Sequence, residues 1–385
     1  MSQISMLALL IICAKRLDLY SFGILSTALI IIQFAYIISE WGFSIDSIKN
    51  FESKKNLYYP KFFNLITNCK IILFLGFLIC FLIFSVFSQT VDIYQNRNLY
   101  VATVLAIFFA TFNNLWFYQA LNKTNILIFP TLIGRIIALG TIYYFLHDAD
   151  DIFFVPLSQA ISFAIPTIFG YTYAFNKLGF RYKFGFLESF KKITSNFNIF
   201  ITTLFQNQIH SLWGLLLILI GNPIQIALFN LVDQFVRSGN ALSTLLPEVI
   251  ITNKKSMQNI NKTFISTILA IIFTSFCLFL SLEFIVEYLF GEKFIAAIPI
   301  LKLSLFSLVM IAIIKIIGYP LIGELYSYSF FNKISRLFAL SHIVLIIILY
   351  KFFLINAYIV SIAFLTLTIL YFICLIFFVI KKKYE

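Results

Sequence analysis

Apolar runs separated by short polar stretches recur along the whole chain. At about 1.5 Å per helical residue, a run of about 20 crosses roughly 30 Å of hydrocarbon. Read between the polar breaks, the runs fall at roughly 3–14, 21–40, 62–88, 99–120, 126–146, 152–175, 193–220, 224–249, 263–286, 295–318, 334–355 and 357–380. The pattern predicts an all-α integral membrane protein with about twelve transmembrane helices, because only helices satisfy their own backbone in lipid when no barrel pattern is present. The longest connections, about 20 residues, run from Trp41 to Lys61 and from Asn176 to Lys192, too short to hold an extramembrane domain. The first run is short, lacks a basic stretch before it and is followed by Lys15 and Arg16. It reads as a shortened span and not as a secretory signal.

The basic residues orient these runs. With the N-terminus inside, the inner loops and the tail hold about eighteen Lys and Arg, among them Lys54, Lys55, Lys183, Lys192, Lys255 and Lys382. The other side holds about five, Lys15, Arg16, Arg97, Lys293 and Lys351. Basic flanks resist translocation, so both termini are expected in the cytoplasm.

Composition sharpens the class: 61% of residues are hydrophobic and 11% charged, with a mean hydropathy of +0.97. Soluble chains are about half apolar and a quarter charged. The net charge of +12 follows from the topology and favours anionic lipid headgroups, so membrane lipids are expected partners and nucleic acid is not. Five cysteines lie in or beside apolar runs without CxxC spacing or nearby His, which argues against metal and disulfide roles. No Walker A loop, HExxH or GxSxG occurs, and no cofactor is implied. Asp148-Ala149-Asp150 spells the D-x-D of sugar-nucleotide enzymes, but on the outer side, away from cytoplasmic nucleotides. An enzyme is not expected.

Ionisable groups at membrane depth cost about 2.5–3.5 kcal/mol on insertion scales and so mark cavities or partners. In the eighth run Asn230, Asp233, Arg237, Asn240 and Thr244 share one helical face. Asp233 and Arg237, four apart, either neutralise each other or face a cavity. The seventh run repeats the pattern with Thr202, Thr203, Gln206, Asn207 and His210, the last a proton relay or a hydrogen-bonded cavity residue. The second run does so with Ser26, Gln33 and Glu40. Arg135 lies near the middle of the fifth run with no acid three or four positions away, so it contacts a ligand or an acid on another helix. Lys302 is deep in the tenth run, whereas Lys70, Lys315 and Glu283 are close enough to an interface to snorkel. Pro130, Pro156, Pro166, Pro247, Pro299 and Pro320, at or within the runs, permit kinks.

Four segments, taken in order, resemble the O-antigen flippases, Wzx-like polysaccharide exporters of the multidrug/oligosaccharidyl-lipid/polysaccharide superfamily. Ala14-Lys15-Arg16-Leu17 through Phe22-Gly23, with Glu40-Trp41-Gly42-Phe43, is similar to that family's "AR-L-G…G" opening and "D-x-G-F" close of the second span. Asn113-Asn114-Leu115-Trp116-Phe117-Tyr118-Gln119-Ala120 resembles "P-x-W-x-x-Q-G". Leu246-Pro247-Glu248 resembles the closing proline of the eighth span, and Tyr288-Leu289-Phe290-Gly291-Glu292-Lys293-Phe294 the turn "L-F-G-x-x-F/Y". Glu40, Asn113 and Ala120 depart from the usual Asp, Pro and Gly.

The resemblance implies two six-helix bundles, about 1–185 and 190–385, around a central cavity lined by the first, second, seventh and eighth spans. It implies a lipid-linked oligosaccharide substrate on undecaprenyl diphosphate, moved across the bacterial cytoplasmic membrane by alternating access, with a coupling ion as a further partner. Arg135, Arg237 and Lys302 would then attract the diphosphate. Gln206, Asn207, Asn240 and Gln33 would hydrogen-bond the sugars, with Asp233 and His210 also counted as substrate-binding. A drug/cation antiporter of the same superfamily would prefer acidic cavity residues, and here deep bases outnumber acids. A membrane-embedded polymerase or glycosyltransferase would need a larger outer loop.

Overall fold

The computed structural model describes residues 2–52, 59–88, 91–207, 209–220, 222–252, 260–316, 328–352 and 355–384. Their regular structure is helical throughout, as the sequence pattern predicts. In order come α1 (Ser2–Arg16), α2 (Leu19–Glu40), α3 (Phe43–Glu52), α4 (Tyr59–Phe87), α5 (Arg97–Thr111), α6 (Leu115–Ala120), α7 (Asn125–Phe145) and α8 (Phe154–Asn176). Then follow α9 (Phe186–Asn207), α10 (Ile209–Ile220), α11 (Pro223–Thr252), α12 (Ile260–Phe290), α13 (Ile298–Ile316), α14 (Tyr328–Phe352) and α15 (Ala357–Tyr384).

Among the described residues, eight stretches are long and apolar enough to cross a membrane: Leu19–Ile48, Tyr59–Phe87, Arg97–Ala120, Asn125–Phe145, Asp150–Asn176, Ile268–Phe290, Glu292–Ile314 and Ala357–Phe377. They coincide with eight of the predicted runs. The other four contain α1, which has only 15 residues, the pair α9 and α10, the charge-bearing α11, and α14.

By internal contact the chain forms two units. One comprises Arg16–Leu204 with Ile218–Pro223; the other comprises Met1–Lys15, Phe205–Leu217 and Ile224–Glu385. Residues 1–15 thus belong with residues 205–217 and 224–385.

In the unit holding residues 16–204, α2 starts at Asp18, whose carboxylate accepts from the backbone N–H of Tyr20 and Ser21 at 3.0 and 3.3 Å. That is an N-cap on two donors that the helix itself leaves unbonded. Its other end breaks at Trp41 and Gly42, with φ of 41° and 72°. A side chain at Gly42 would be strained by that φ and would press on Ile199, so glycine makes the turn into α3. Trp41 fixes the turn: its indole N–H donates to the Ile193 carbonyl at 2.9 Å and its ring stacks on Phe200 at 4.0 Å.

The core of this unit is aromatic. Phe63 of α4 meets Phe117, Tyr171 and Phe180 edge-on at 4.9, 5.3 and 5.6 Å between centroids. On the polar side of α4, Asn64 and Asn68 donate to the carbonyls of Arg181 and Lys183 at 2.6 and 3.0 Å. The basic connection after α8 is therefore pinned along that helix. Arg16 donates to the carbonyls of Ile142, Tyr143 and Leu146 at the end of α7, where a guanidinium meets both orphan acceptors and the negative end of the helix dipole.

In the other unit α13 packs on α12 and α15, and α14 on α15. The short turn Gly291–Ala297 joins α12 to α13, its glycine at φ 90°.

Candidate functional site

Among the described residues, each unit carries a buried ionic cluster within its apolar helices. In the unit of residues 16–204, two helix C-termini supply the acceptors. Helix α2 ends at Glu40, and the chain leaves helical geometry at 112–114 between α5 and α6. Lys70, on α4, donates to the Asn113 carbonyl at 2.8 Å and to Glu40 Oε1 at 3.4 Å; Ser44 donates to the other Glu40 oxygen at 2.9 Å. The Lys70 side chain is 0% exposed and that of Glu40 23%. Lys70 does not snorkel as the sequence predicts: a buried ammonium is tolerable only with such partners, and here a carboxylate and a helix-end carbonyl provide them. A lysine in an apolar run, with an acid closing the preceding run, was the available signal.

Next to this cluster Asn114 donates to the Thr167 carbonyl at 3.2 Å and Tyr118 to the Gly170 carbonyl at 2.6 Å. The segment Asn113–Ala120 thus locks a helix break against α8. Gln33, one face of α2 from Glu40, has a buried Oε1 with no hydrogen-bond partner among the described residues.

In the other unit, Asp233 of α11 sits between two nitrogens. His210 Nδ1 is 2.6 Å from Oδ1 and Arg237 Nε is 2.6 Å from Oδ2, and the carboxylate is 1% exposed. The i,i+4 spacing makes the Arg237 pair within one helix. His210, of α10, stacks on Phe229 at 4.9 Å and meets Phe364 of α15 edge-on at 4.7 Å. His342 of α14, which the sequence reading did not single out, is buried too and accepts from the Trp213 indole N–H at 3.2 Å. Histidine inside an apolar run was its only sequence signal.

The remaining predicted residues fall elsewhere. Arg135 is half-buried on the flank of α7, without a hydrogen-bond or ion-pair partner among the described residues. Lys302 pairs with Glu283 at 2.7 Å, the two side chains 32% and 69% exposed, and lies over the Phe279 ring at 5.3 Å. Its ammonium is engaged by α12. The side chains of Thr202, Thr203, Gln206, Asn207, Asn240, Thr244 and Lys315 lie outside the described residues. Among the described residues there is no group of three or more His, Cys, Asp or Glu able to hold a metal.

The family model described as "Polysaccharide biosynthesis protein" matches residues 2–250, which include both clusters' α2, α4, α10 and α11. The chain belongs to this polysaccharide biosynthesis protein family. No curated protein matches it. Among solved structures it is similar to "Lipid II flippase MurJ, inward closed conformation", at 18% identity and a TM-score of 0.72, with 98% of this chain and 85% of that one covered. At that identity the likeness establishes the fold: a polytopic helical membrane protein, in agreement with the exporter resemblance read from the sequence.

Proposed function

We propose that the protein is a flippase that carries undecaprenyl-diphosphate-linked oligosaccharide repeat units, of the O-antigen kind, across the bacterial cytoplasmic membrane. The observation that carries this reading is membership of a polysaccharide biosynthesis family by a chain built almost wholly of apolar helices. Such a protein handles a saccharide at the bilayer, where sugars and diphosphate must be kept from hydrocarbon while a lipid tail stays in it. The solved structure that shares its fold is named a lipid II flippase, which supports a lipid-linked cargo.

Twelve spans, two bundles of about 1–185 and 190–385 rocking in alternating access, and cytoplasmic termini complete the proposal. Arg135 and Arg237 are the guanidiniums offered to the diphosphate. Gln33, Gln206, Asn207 and Asn240 are offered to the sugars, and Asp233 and His210 join the binding set through Arg237. Lys302, paired with Glu283 as Arg237 is with Asp233, is the ammonium offered to the same diphosphate. The test is deletion of the gene: lipid-linked repeat units should accumulate on the cytoplasmic face of the membrane. An unchanged distribution of those intermediates between the two faces would overturn the proposal.

A further inference from the structure

The cluster around Asp233 has one open position. Tryptophan is a donor only, so the bond from Trp213 fixes His342 Nδ1 as an acceptor and leaves its proton on Nε2. His342 can gain a second proton only by losing that bond. His210 is arranged the opposite way. Its Nδ1 faces a carboxylate oxygen at 2.6 Å and therefore carries the proton of the neutral ring. Its Nε2 is buried with no hydrogen-bond partner among the described residues. A buried, unsatisfied ring nitrogen costs free energy and is the one lone pair of the two rings open to a proton.

The charges around it decide what protonation does. Among the described residues, the titratable or charged groups facing His210 are Asp233 and Arg237 from α11 and His342 from α14. Helix α10 brings Trp213, α11 also Phe229, and α15 Phe364, none of which titrates. With His210 neutral, one carboxylate balances one guanidinium. With His210 protonated, two cations share one anion in a space where charge is poorly screened. Of the two, the imidazolium is the more enclosed, 7% exposed against 15% for Arg237. It is also held between two aromatic rings, so the arginine is the partner able to move.

We propose that His210 is a proton acceptor whose loading releases Arg237 from Asp233 to hold an external anion of the phosphate or diphosphate class. Proton uptake at Nε2 leaves the Nδ1–H···Oδ1 bond in place and supplies Asp233 with a full cationic partner. Loss of that proton returns Asp233 to Arg237 and discharges the anion. The inference deepens the flippase reading, since it assigns the diphosphate to this cluster and a proton to its binding step.

The test uses the whole purified protein and UDP-glucose as probe, a diphosphate diester whose two charges stay constant from about pH 5 to 8. Calorimetry in buffers of differing ionisation enthalpy reads both affinity and protons taken up. The expected result is tighter binding as pH falls, by up to about tenfold per unit for one linked proton, with net proton uptake. His210→Asn keeps a donor for Asp233 but cannot titrate, so its binding should be independent of pH and free of proton uptake. Arg237→Gln should lose binding at every pH. Abundance and melting of each variant in detergent separate these outcomes from misfolding. Binding without pH dependence in the native protein, pH dependence that survives in His210→Asn, or no binding at any pH would overturn the inference. Flipping of lipid-linked oligosaccharide in proteoliposomes reads the function separately: flipping without proton-linked binding sinks only the inference, and proton-linked binding without flipping sinks only the function.

Discussion

The ammonium of Lys70 lies 3.4 Å from Glu40, thirty positions earlier in the chain, and the nearest other charge on either helix is Lys61, more than two turns away from Lys70. Removing one member of a buried pair strands the other and costs about 3–5 kcal/mol, whereas removing both costs far less. Lys70→Met should therefore lower heat stability in detergent sharply, and Lys70→Met with Glu40→Gln should recover much of the loss. A double variant no more stable than the single one would show that the pair is not coupled.

Arg135 has no ion-pair partner among the described residues, and the flippase reading gives it a diphosphate. A charge-assisted contact is worth about 1.5–3 kcal/mol, so Arg135→Ala should lose about tenfold or more in export while reaching the membrane at normal abundance. Arg135→Lys keeps the charge without the planar fork and should fall between. Normal export by the alanine variant would remove the ligand role.

At the start of α2 a Cβ on Gly23 would lie 2.0 Å from the Pro223 carbonyl oxygen. The obstacle is backbone, which cannot rotate away, so Gly23→Ala must push a helix aside. We expect poor accumulation of Gly23→Ala in the membrane, and Gly76→Ala, with open space at its Cβ, to behave as wild type. Immunoblotting of membrane fractions compares them.

The bond from Ser21, with the two backbone N–H groups, holds the Asp18 carboxyl below the ordinary aspartate range. A lowered folded value means that the cap stabilises α2 at all pH above the ordinary carboxylate range and is lost only as pH falls through the folded value. Asp18→Ala should cost about 1 kcal/mol at neutral pH. Asp18→Asn should melt near wild type there and show a weaker decline below about pH 4. Melting curves of the three proteins between pH 7 and pH 3 give the comparison.

The helices and the Asp233–Arg237 pair were legible because both are set by spacing along one helix. Partners on different helices were not. Lys70 and Glu40, or His342 and Trp213, are joined by helix packing, and a uniform apolar pattern tells which residues face lipid or protein without naming the neighbour. Lys302 and Glu283 were within reach of sequence reasoning, because the short turn at Gly291 places α12 beside α13. The same limit hid the grouping of residues 1–15, since a short apolar helix fits equally beside any apolar surface.

That grouping has a consequence for synthesis. Helix α1 belongs with residues 224–385, so it can complete its packing only after those later residues are made. At about 5–20 residues per second, the wait is on the order of tens of seconds. During it the buried residues Leu9, Leu10, Cys13 and Ala14 lack their final neighbours. Helices made later are therefore what retains α1, and a ribosome stalled before residue 224 would leave it in the bilayer without its unit.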